Sequence, residues 1–337
     1  MNLRRVTAVF MARNREFLRD RGALSWTIVL PVAIVFGFAF AFSGDAPSRF
    51  TVGVLGGEDA TLPSGPAMSL HNVEYTHIQS VELGVRKVRR HQLDLLIDPA
   101  GHRYWVSDAS PKGYLLERVL WGVTGTKGDY TRETVPGRTI RYVDWLVPGL
   151  LAMNMMFTAL FGVGFVIVRY RKNGVLKRLK ATPLTPAEFL VAQLGSRLII
   201  LVVLTSAIFV GSAVALSLPV YGNPLYLLLI LVLGAICLVS LALIIAARTA
   251  SEELAGGLLN MISWPMMFLS GVWFSTDGLH PWLQVAARAL PLTHVIDAAR
   301  AVMIDGAGFA TIAPDLLVLA VMSVVFLAIG AVLFRWE

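Results

Sequence analysis

The residues best suited to binding chemistry in this sequence are basic, and six of them occur within twelve positions, 169–180. They are Arg169, Arg171, Lys172, Lys177, Arg178 and Lys180. In a short helix here, the apolar side chains of Val175, Leu176 and Leu179 share one side, and the basic side chains lie largely on the other. Such a helix is suited to docking a partner. The alternative is that the charges only retain a loop on the cytoplasmic side of a membrane.

Local signals define where this short helix ends and the next one begins. Pro183 stops the helix, because proline lacks an N–H group and restricts Thr182 before it. Thr185 and Glu188 then have the spacing of a capping box, with a proline between them at the first helical position. Residues 169–187 are therefore predicted to form a rigid cytoplasmic segment.

Several kinds of catalytic and metal chemistry have no support in the sequence. It has no Gly-x-x-x-x-Gly-Lys-Ser/Thr loop for nucleotide phosphates and no Gly-x-Ser-x-Gly motif of serine hydrolases. Cys237 is the single cysteine, so an intrachain disulfide or a cysteine-built metal site is excluded. His294 has only Asp297 nearby as a second metal ligand. We predict that the chain is not an enzyme and binds no metal or cofactor itself.

The composition indicates a membrane protein. Of the 337 residues, 56% are hydrophobic and only 15% are charged, against about 25% charged in ordinary soluble domains. Six apolar runs are long enough to cross a hydrocarbon core of about 30 Å as helices. The predicted crossings are 22–43, 145–168, 188–217, 224–248, 253–275 and 314–335. The fold class is therefore a membrane all-α protein with six transmembrane helices.

The N-terminal region, 1–21, is predicted to be an amphipathic helix in the cytoplasmic headgroup layer. Leu3, Val6, Phe10 and Phe17 are spaced to form one apolar stripe among arginines. A plain positively charged anchor is the alternative, because orientation needs the charges but not the stripe. The first crossing is too long for a signal peptide, whose apolar region is about 7–15 residues, so we predict a retained helix.

Basic residues set the predicted orientation. They cluster before the first crossing and after the second, while the short connections on the other side have few. Cytoplasmic loops carry this excess, so both termini are predicted to be cytoplasmic. The net charge of +7 reflects the same asymmetry. No basic and aromatic module accompanies it, so nucleic acid is not a predicted partner.

Residues 44–144 have ordinary soluble composition and are predicted to form a small extracytoplasmic α/β domain. Strands are predicted at 50–55, 93–97 and 102–107, and helices at 80–91 and 113–121.

Polar residues at membrane depth and in the outer segment are the remaining candidates. Asn154, Asn260 and Ser263 are predicted to bond between helices or to line a substrate path, and Trp264 to lie at an interface or on that path. Arg197 is expected to reach toward the cytoplasmic surface. In the outer segment, 279–310, Pro281 and Pro291 indicate two short re-entrant helices. Asp297 and Arg300 are spaced i,i+3 for a structural pair there.

Two stretches together resemble the membrane subunits of type-2 ATP-binding-cassette exporters. The cytoplasmic loop matches at Arg171, Gly174, Leu179, Thr182, Pro183, Leu184 and Thr185. It departs at Val175, where threonine is usual, and at Lys172 and Asn173, where an acidic residue is common. The second stretch extends from Asn260 to Phe274 and continues through Pro281-Trp282-Leu283 and from Leu290 to Arg300. The motifs occur in the expected order on a six-helix plan that covers essentially the whole chain.

The resemblance implies a multi-pass subunit of the bacterial cytoplasmic (inner) membrane that couples to a separate cytoplasmic ATPase. ATP and Mg would bind a dimer of that partner, and a second permease chain, identical or different, would complete the path. The coupling residues would be Gly174, Val175, Leu176, Lys177, Arg178, Leu179, Lys180, Thr182 and Pro183. Val175, Leu176 and Leu179 would contact the ATPase. Lys177, Arg178 and Lys180 would bind acidic partner residues or lipid phosphates. The cargo would be a lipid, amphipathic drug or lipopeptide, and the outer domain would handle it or bind an extracytoplasmic partner.

A rival hypothesis is a membrane-anchored sensor. In it, the extracytoplasmic domain binds a ligand and the cytoplasmic segment recruits a signalling protein. Co-purification with an ATPase distinguishes the exporter from the sensor.

Overall fold

The protein divides into two compact units. The structure is a computed structural model that describes residues 2–41, 50–56, 73–89, 92–108, 110–124, 130–135, 141–249, 251–276 and 279–334. One unit comprises Met1–Ala41 and Val143–Glu337, and the other comprises Phe42–Tyr142. The larger unit is helical, and the smaller is built on a β-sheet.

The sheet of the smaller unit has five strands in the order β2-β1-β3-β4-β5. They are β1 (Phe50–Leu55), β2 (Val73–Ile78), β3 (Leu95–Asp98), β4 (Arg103–Ser107) and β5 (Thr131–Val135). β1 is parallel to β2 and β3, whereas β4 is antiparallel to β3 and parallel to β5. The helices α3 (Val81–Arg89) and α4 (Pro111–Thr124) connect the strands. The predicted α/β alternation is therefore present.

Apolar residues on both faces of this sheet explain its layers. Val54 and Leu95 pack in one cluster with Leu116 of α4. Leu96 packs in a second cluster with Val88 of α3. Because alternate side chains of a strand point to opposite faces, the sheet is buried on both sides, with one helix on each.

The sequence prediction missed two strands of this unit, β2 and β5. Both lie at the edges of the sheet, and β5 is the polar sequence TRETV. Edge strands are commonly polar, so neither shows the apolar run by which strands were predicted. β4 begins at Arg103 and not at 102, since His102 has φ 48° in the turn before it. Residues 90 and 91, predicted to end α3, lie outside the described residues.

Ten helices of the larger unit can be described, and one of them contains a π-helical insertion. α5 (Tyr142–Ala159) and α6 (Val166–Lys172) are the two parts of one helix, which is interrupted by the π segment Leu160–Phe165. The other nine are α1 (Leu3–Arg19), α2 (Arg21–Ala41), α7 (Val175–Lys180), α8 (Pro186–Leu216), α9 (Pro224–Arg248), α10 (Glu252–Leu269), α11 (Pro281–Arg288), α12 (Pro291–Met303) and α13 (Phe309–Leu333). The core of the larger unit contains apolar side chains of α5, α8, α9, α10, α12 and α13.

Four helices of the described chain are long and apolar enough to cross a membrane. They are Tyr142–Lys172, Pro186–Leu216, Pro224–Arg248 and Phe309–Leu333. A shorter apolar helix, Thr27–Phe40, lies within α2. These helices agree with a membrane all-α protein.

The fifth and sixth predicted crossings have different limits in the structure. α10 ends at Leu269 and not near 275, because Gly271 adopts a left-handed conformation (φ +79°) that ends the helix. α13 begins at Phe309, five residues before the predicted start, and includes Pro314. The predicted ends at 43 and 335 lie outside the described residues.

The face of α1 that carries the predicted apolar stripe packs partly on protein. Val6, Phe10 and Phe17 are half-buried, and α1 packs along α8. The Oγ of Ser196 donates a hydrogen bond to Oδ1 of Asn14 at 3.1 Å. α8 therefore covers part of this stripe, and the location of α1 in the headgroup layer stays a prediction. Exposed apolar residues of α1 are Leu3, Met11 and Leu18.

Candidate coupling site and membrane path

The basic segment is anchored where α6 ends. Arg171 donates hydrogen bonds to the carbonyls of Ala246 (2.8 Å), Ala247 (2.9 Å) and Thr249. These carbonyls belong to the last turn of α9 and its cap, which have no partners within the helix. Nζ of Lys172 lies 3.6 Å from Oε1 of Glu252, in the first turn of α10. The start of the segment is therefore fixed to α9 and α10.

A left-handed glycine allows the short helix α7 to turn away from α6. Gly174 has φ +69° and precedes Val175, a conformation that L-residues with a Cβ rarely adopt. Leu176 has no exposed surface, and Leu179 is partly buried against the same core. α7 is therefore packed on its own chain.

This packing corrects one prediction for the coupling residues. Leu176 was expected to contact an ATPase, but a fully buried side chain cannot contact a partner in this conformation. Val175 and Leu179 are only half-exposed. The amphipathic pattern was interpreted correctly, but its apolar side faces the helical bundle.

The outward surface of the segment is basic and polar. Lys177, Arg178 and Lys180 are exposed, as are Thr182 and Pro183 after the helix. Oγ1 of Thr182 donates to the carbonyl of Leu179 at 2.6 Å and closes the last turn. These exposed residues form the candidate coupling surface, called the coupling surface below and defined as Lys177, Arg178, Lys180, Thr182 and Pro183.

The far end of the segment is tied to α1. The predicted capping box is confirmed: Oγ1 of Thr185 accepts from the Glu188 amide, and Oε2 of Glu188 accepts from the Thr185 amide at 3.0 Å. Oε1 of Glu188 accepts from the Asn2 amide at 2.6 Å. Nη1 of Arg5 donates to the Pro183 carbonyl and lies 4.0 Å from Glu188 Oε2. One buried carboxylate thus joins α1, the coupling surface and α8.

Three of the predicted path residues, Asn260, Ser263 and Trp264, lie within about one turn of α10, and Asn154 lies on α5. Nδ2 of Asn260 donates to the Gly256 carbonyl (2.9 Å), and Oγ of Ser263 donates to the Leu259 carbonyl (2.7 Å). Both bonds lie within α10, and the predicted roles of these residues, interhelical bonding or lining a path, stay predictions. Trp264 is half-exposed and stacks on Phe268 of the same helix. Asn154 is half-buried on α5.

An apolar cavity of about 230 Å³ lies elsewhere, between α5, α8, α9 and α12. Met155, Phe209, Leu231 and Val295 are among its lining residues, and the hydroxyl residues Thr205 and Ser206 are its polar members. None of the four predicted path residues lines it. A lining this apolar accepts hydrocarbon.

Arg300 holds α12 to two other parts of the bundle. It is 6% exposed, and its Nε donates to the Trp145 carbonyl of α5 at 3.0 Å. Its Nη2 donates to the Val272 carbonyl at 3.5 Å, and its Cζ lies 3.6 Å from the Trp145 ring centroid. Asp297 is exposed one turn earlier, and its predicted pairing with Arg300 stays a prediction. Pro291 begins α12, as predicted.

His294 has a carboxylate partner that its local sequence does not show. Its Nδ1 lies 2.8 Å from Oδ1 of Asp315 on α13, and its Nε2 lies 2.8 Å from the Arg288 carbonyl. Both oxygens accept hydrogen bonds, so a doubly protonated imidazolium satisfies both. The bond to Asp315 raises the pKa of His294 and the bond to Arg288 adds to this, while burial acts in the opposite direction.

Sequence reasoning also missed the roles of Arg171, Asn2 and Arg5. Arg171 was predicted as a basic residue of the cytoplasmic segment and as a motif match, and the other two only as parts of a basic helix. Their partners are 75 to 186 residues away. The pattern of one helix has no signal for such contacts.

Comparison with known proteins places these features in a family. A family model described as "ABC-2 type transporter" matches residues 103–304. The inner membrane transport permease YhhJ of Escherichia coli (strain K12) is 27% identical over 191 residues, 56% of this chain and 51% of YhhJ. Nodulation protein J of Rhizobium meliloti (strain 1021) is 26% identical over 171 residues, 49% of this chain and 63% of that protein.

A eukaryotic protein shows the same relationship over a smaller share of its length. ABC transporter G family member 20 of Dictyostelium discoideum is 26% identical over 168 residues, 50% of this chain and 23% of that protein. The chain therefore spans about half the length of the E. coli relative and less of the Dictyostelium one. The family model nevertheless covers more than half of the chain, including α5 to α12. The chain belongs to the ABC-2 type transporter family.

Proposed function

We propose that the chain is the membrane subunit of an ATP-driven exporter in a bacterial inner membrane, and that a separate cytoplasmic ATPase dimer docks on the coupling surface. The observation that carries this proposal is a family match that includes α7, together with the exposed basic side of that helix. ATP and Mg bind the ATPase in this scheme.

The proposed topology has six crossings with both termini in the cytoplasm. α2 and α10 complete the set with the four long apolar helices, as the first and fifth crossings. α7 then lies on the cytoplasmic side, where basic residues are enriched. The Phe42–Tyr142 unit lies outside the membrane, and α11 and α12 re-enter the outer leaflet.

Coupling passes through buried contacts on both sides of α7. A displacement of the coupling surface moves Leu176 in the core, Arg171 at the end of α9, and Glu188 at the start of α8. Closure of an ATPase dimer would therefore act on several crossings together. The two conformations must differ in affinity for nucleotide or cargo for such coupling to occur.

The proposed cargo has a hydrocarbon part, as in a lipid, an amphipathic drug or a lipopeptide. The apolar lining of the cavity between α5, α8, α9 and α12 supports this class, because a polar solute would lose hydration there without compensation. A second permease chain would complete the path. Leu254, Met261, Trp264 and Phe268 leave one side of α10 exposed and apolar, which suits that pairing.

The test is the double variant Lys177→Glu with Arg178→Glu in a tagged chain expressed in its native host. We expect retention of an ABC ATPase during purification to fall by about tenfold or more, equivalent to about 1.4 kcal/mol or more. ATP hydrolysis by the complex in nanodiscs would fall in parallel. Both side chains are exposed, so the fold should be unaffected.

The matched control is Arg86→Glu with Lys112→Glu, which makes the same charge change on exposed residues of the Phe42–Tyr142 unit. This control should retain the ATPase. Equal retention by both double variants would place the docking site elsewhere. Purification without any ATPase from the parent chain would refute the proposed partnership.

A further inference from the structure

A second cavity, of about 290 Å³, is lined by charged residues of α1, α6 and α8. Three arginines contribute to it: Arg13 from α1, Arg169 from α6 and Arg197 from α8. Glu16 and Asp20 are its acidic members. The uncharged lining residues are the apolar Phe17, Val166 and Ile200 and the polar Thr27, Gln193 and Ser196. The lining therefore combines charged and apolar side chains.

Buried polar atoms without partners are concentrated around this cavity. Among the described residues, five buried side-chain nitrogen or oxygen atoms lack a hydrogen-bond partner, and three belong to its lining. They are Nε of Arg13, Nε of Arg197 and Oε1 of Gln193. Gln193 is only 2% exposed. Because buried polar groups in proteins are nearly always hydrogen-bonded, this concentration indicates a binding site for a polar group.

The charges favour an anion. Glu16 is already hydrogen-bonded to Nη1 of Arg13 (2.5 Å) and to the Tyr170 hydroxyl (2.6 Å), so it is satisfied within the protein. Burial lowers the pKa of Arg13, and Arg169 lowers it further while Glu16 opposes both. The three arginines thus repel one another, and two carboxylates leave one net positive charge in the lining. An anion between the arginines would relieve this repulsion.

Packing, and not hydrogen bonding, places the Arg197 guanidinium. Its Cζ lies 5.2 Å from the centroid of the Phe17 ring. The guanidinium also lies against Gly162 in the π segment: a Cβ added at Gly162 would be 1.7 Å from Nη2 of Arg197. π-Helical insertions in α-helices are frequent at functional sites. The π segment and its glycine therefore make the space in which Arg197 presents its donors to the cavity.

We propose that this cavity binds the phosphodiester of a phospholipid headgroup. Guanidinium groups bind phosphate oxygens through paired N–H donors, and the apolar lining would contact the first part of the acyl chains. The choice of a lipid rests on the proposed function, in which α1 precedes the first crossing on the cytoplasmic side and α8 crosses the membrane. Gln193 would bond to the headgroup alcohol or amine, the donor that its Oε1 lacks.

The test measures lipid binding to the delipidated full-length chain in detergent, without an ATPase, by native mass spectrometry. The probes are phosphatidylglycerol and a monoglucosyl diacylglycerol with the same acyl chains, which has no phosphate. We expect phosphatidylglycerol to bind more tightly by about tenfold or more. Arg13→Gln and Arg197→Gln should each weaken its binding by roughly 10- to 100-fold, the range for one hydrogen bond to a charged group.

Two matched variants separate a built site from general attraction of lipid to basic residues. Gly162→Ala keeps every charge but displaces the Arg197 side chain, so it should weaken binding as well. Arg15→Gln removes the same charge as Arg13→Gln from the same helix, but Arg15 is exposed and does not line the cavity, so binding should be unchanged. Arg197→Lys keeps the charge without the paired donors and is the substitute if Arg197→Gln does not fold.

Three outcomes would overturn the proposal. They are equal weakening by Arg15→Gln and Arg13→Gln, parent-like binding by Gly162→Ala, and equal affinity for the two lipids. A parallel titration with inorganic phosphate distinguishes the sources of the anion. If phosphate alone binds as tightly as phosphatidylglycerol, with the same dependence on Arg197, the lipid assignment is wrong. Retention of the ATPase is measured separately, so failure of either proposal leaves the other testable.

Discussion

Replacing Arg171 with methionine tests whether this residue, and not the basic segment in general, holds α6 to the end of α9. Each hydrogen bond from a charged donor contributes about 1.5–3 kcal/mol, and Arg171 makes three. Ala246 and Ala247 have no exposed surface, so water cannot readily replace the lost donors. We expect the free energy of unfolding to fall by about 3–5 kcal/mol, allowing for partial relaxation.

The neighbouring residue Lys172 supplies the control. Its ammonium lies 3.6 Å from Glu252, and its side chain is 52% exposed. Exposed ion pairs contribute about 0–1 kcal/mol, so Lys172→Met should change stability by no more than that. Arg171→Lys should lie between the two, because one ammonium cannot reach three carbonyls at once. Unfolding in mixed detergent and dodecyl sulfate gives the free energies, and equal losses for Arg171→Met and Lys172→Met would refute the reasoning.

Three further predictions concern other parts of the larger unit. Gly174→Ala should destabilise the fold by about 1–2 kcal/mol, because Gly174 has φ +69°, although no atom would obstruct an added Cβ. Gly211→Ala, which is also unobstructed but lies within α8, should stabilise the fold by about 0.5–1 kcal/mol. A change in unfolding temperature of the same sign for both variants would contradict this. Because the pKa of His294 is raised, its ion pair with Asp315 stabilises the fold below the ordinary histidine pKa of about 6.5, and this contribution is lost as pH rises through the folded-state pKa. The difference in unfolding temperature between the parent and Asp315→Asn should therefore shrink from about pH 5.5 to about 8.5. A difference that stays constant over this range would count against the ion pair. Glu188→Ala should release α1 from the coupling surface, which limited proteolysis detects as faster cleavage near Asn2. Replacing the exposed Glu82 of α3 with alanine should leave that cleavage unchanged.

Features set by neighbouring residues could be predicted from the sequence. The Thr185 and Glu188 capping box and the helix starts at Pro281 and Pro291 depend on contacts within a few residues, and the structure contains all of them. The long apolar runs were equally readable, because a helix that crosses a bilayer must be apolar over most of its length.

Features set by distant partners could not be predicted. The pattern of α7 shows which side is apolar, but not whether that side faces its own bundle or another protein, and Leu176 proved to face the bundle. His294 and Asp315 are 21 residues apart, on helices whose packing no local rule determines. The edge strands β2 and β5 obtain their order from their neighbours in the sheet, and their polar residues resemble loop sequence.

The burial of Leu176 has a consequence for how an ATPase would bind. A segment that folds only on binding loses conformational entropy at that moment, which weakens the complex and slows its formation. Here α7 already has its conformation in the free chain, and the only groups left to immobilise are the ends of long basic side chains. Association should therefore be fast, governed by long-range attraction between opposite charges, and strongly slowed by added salt.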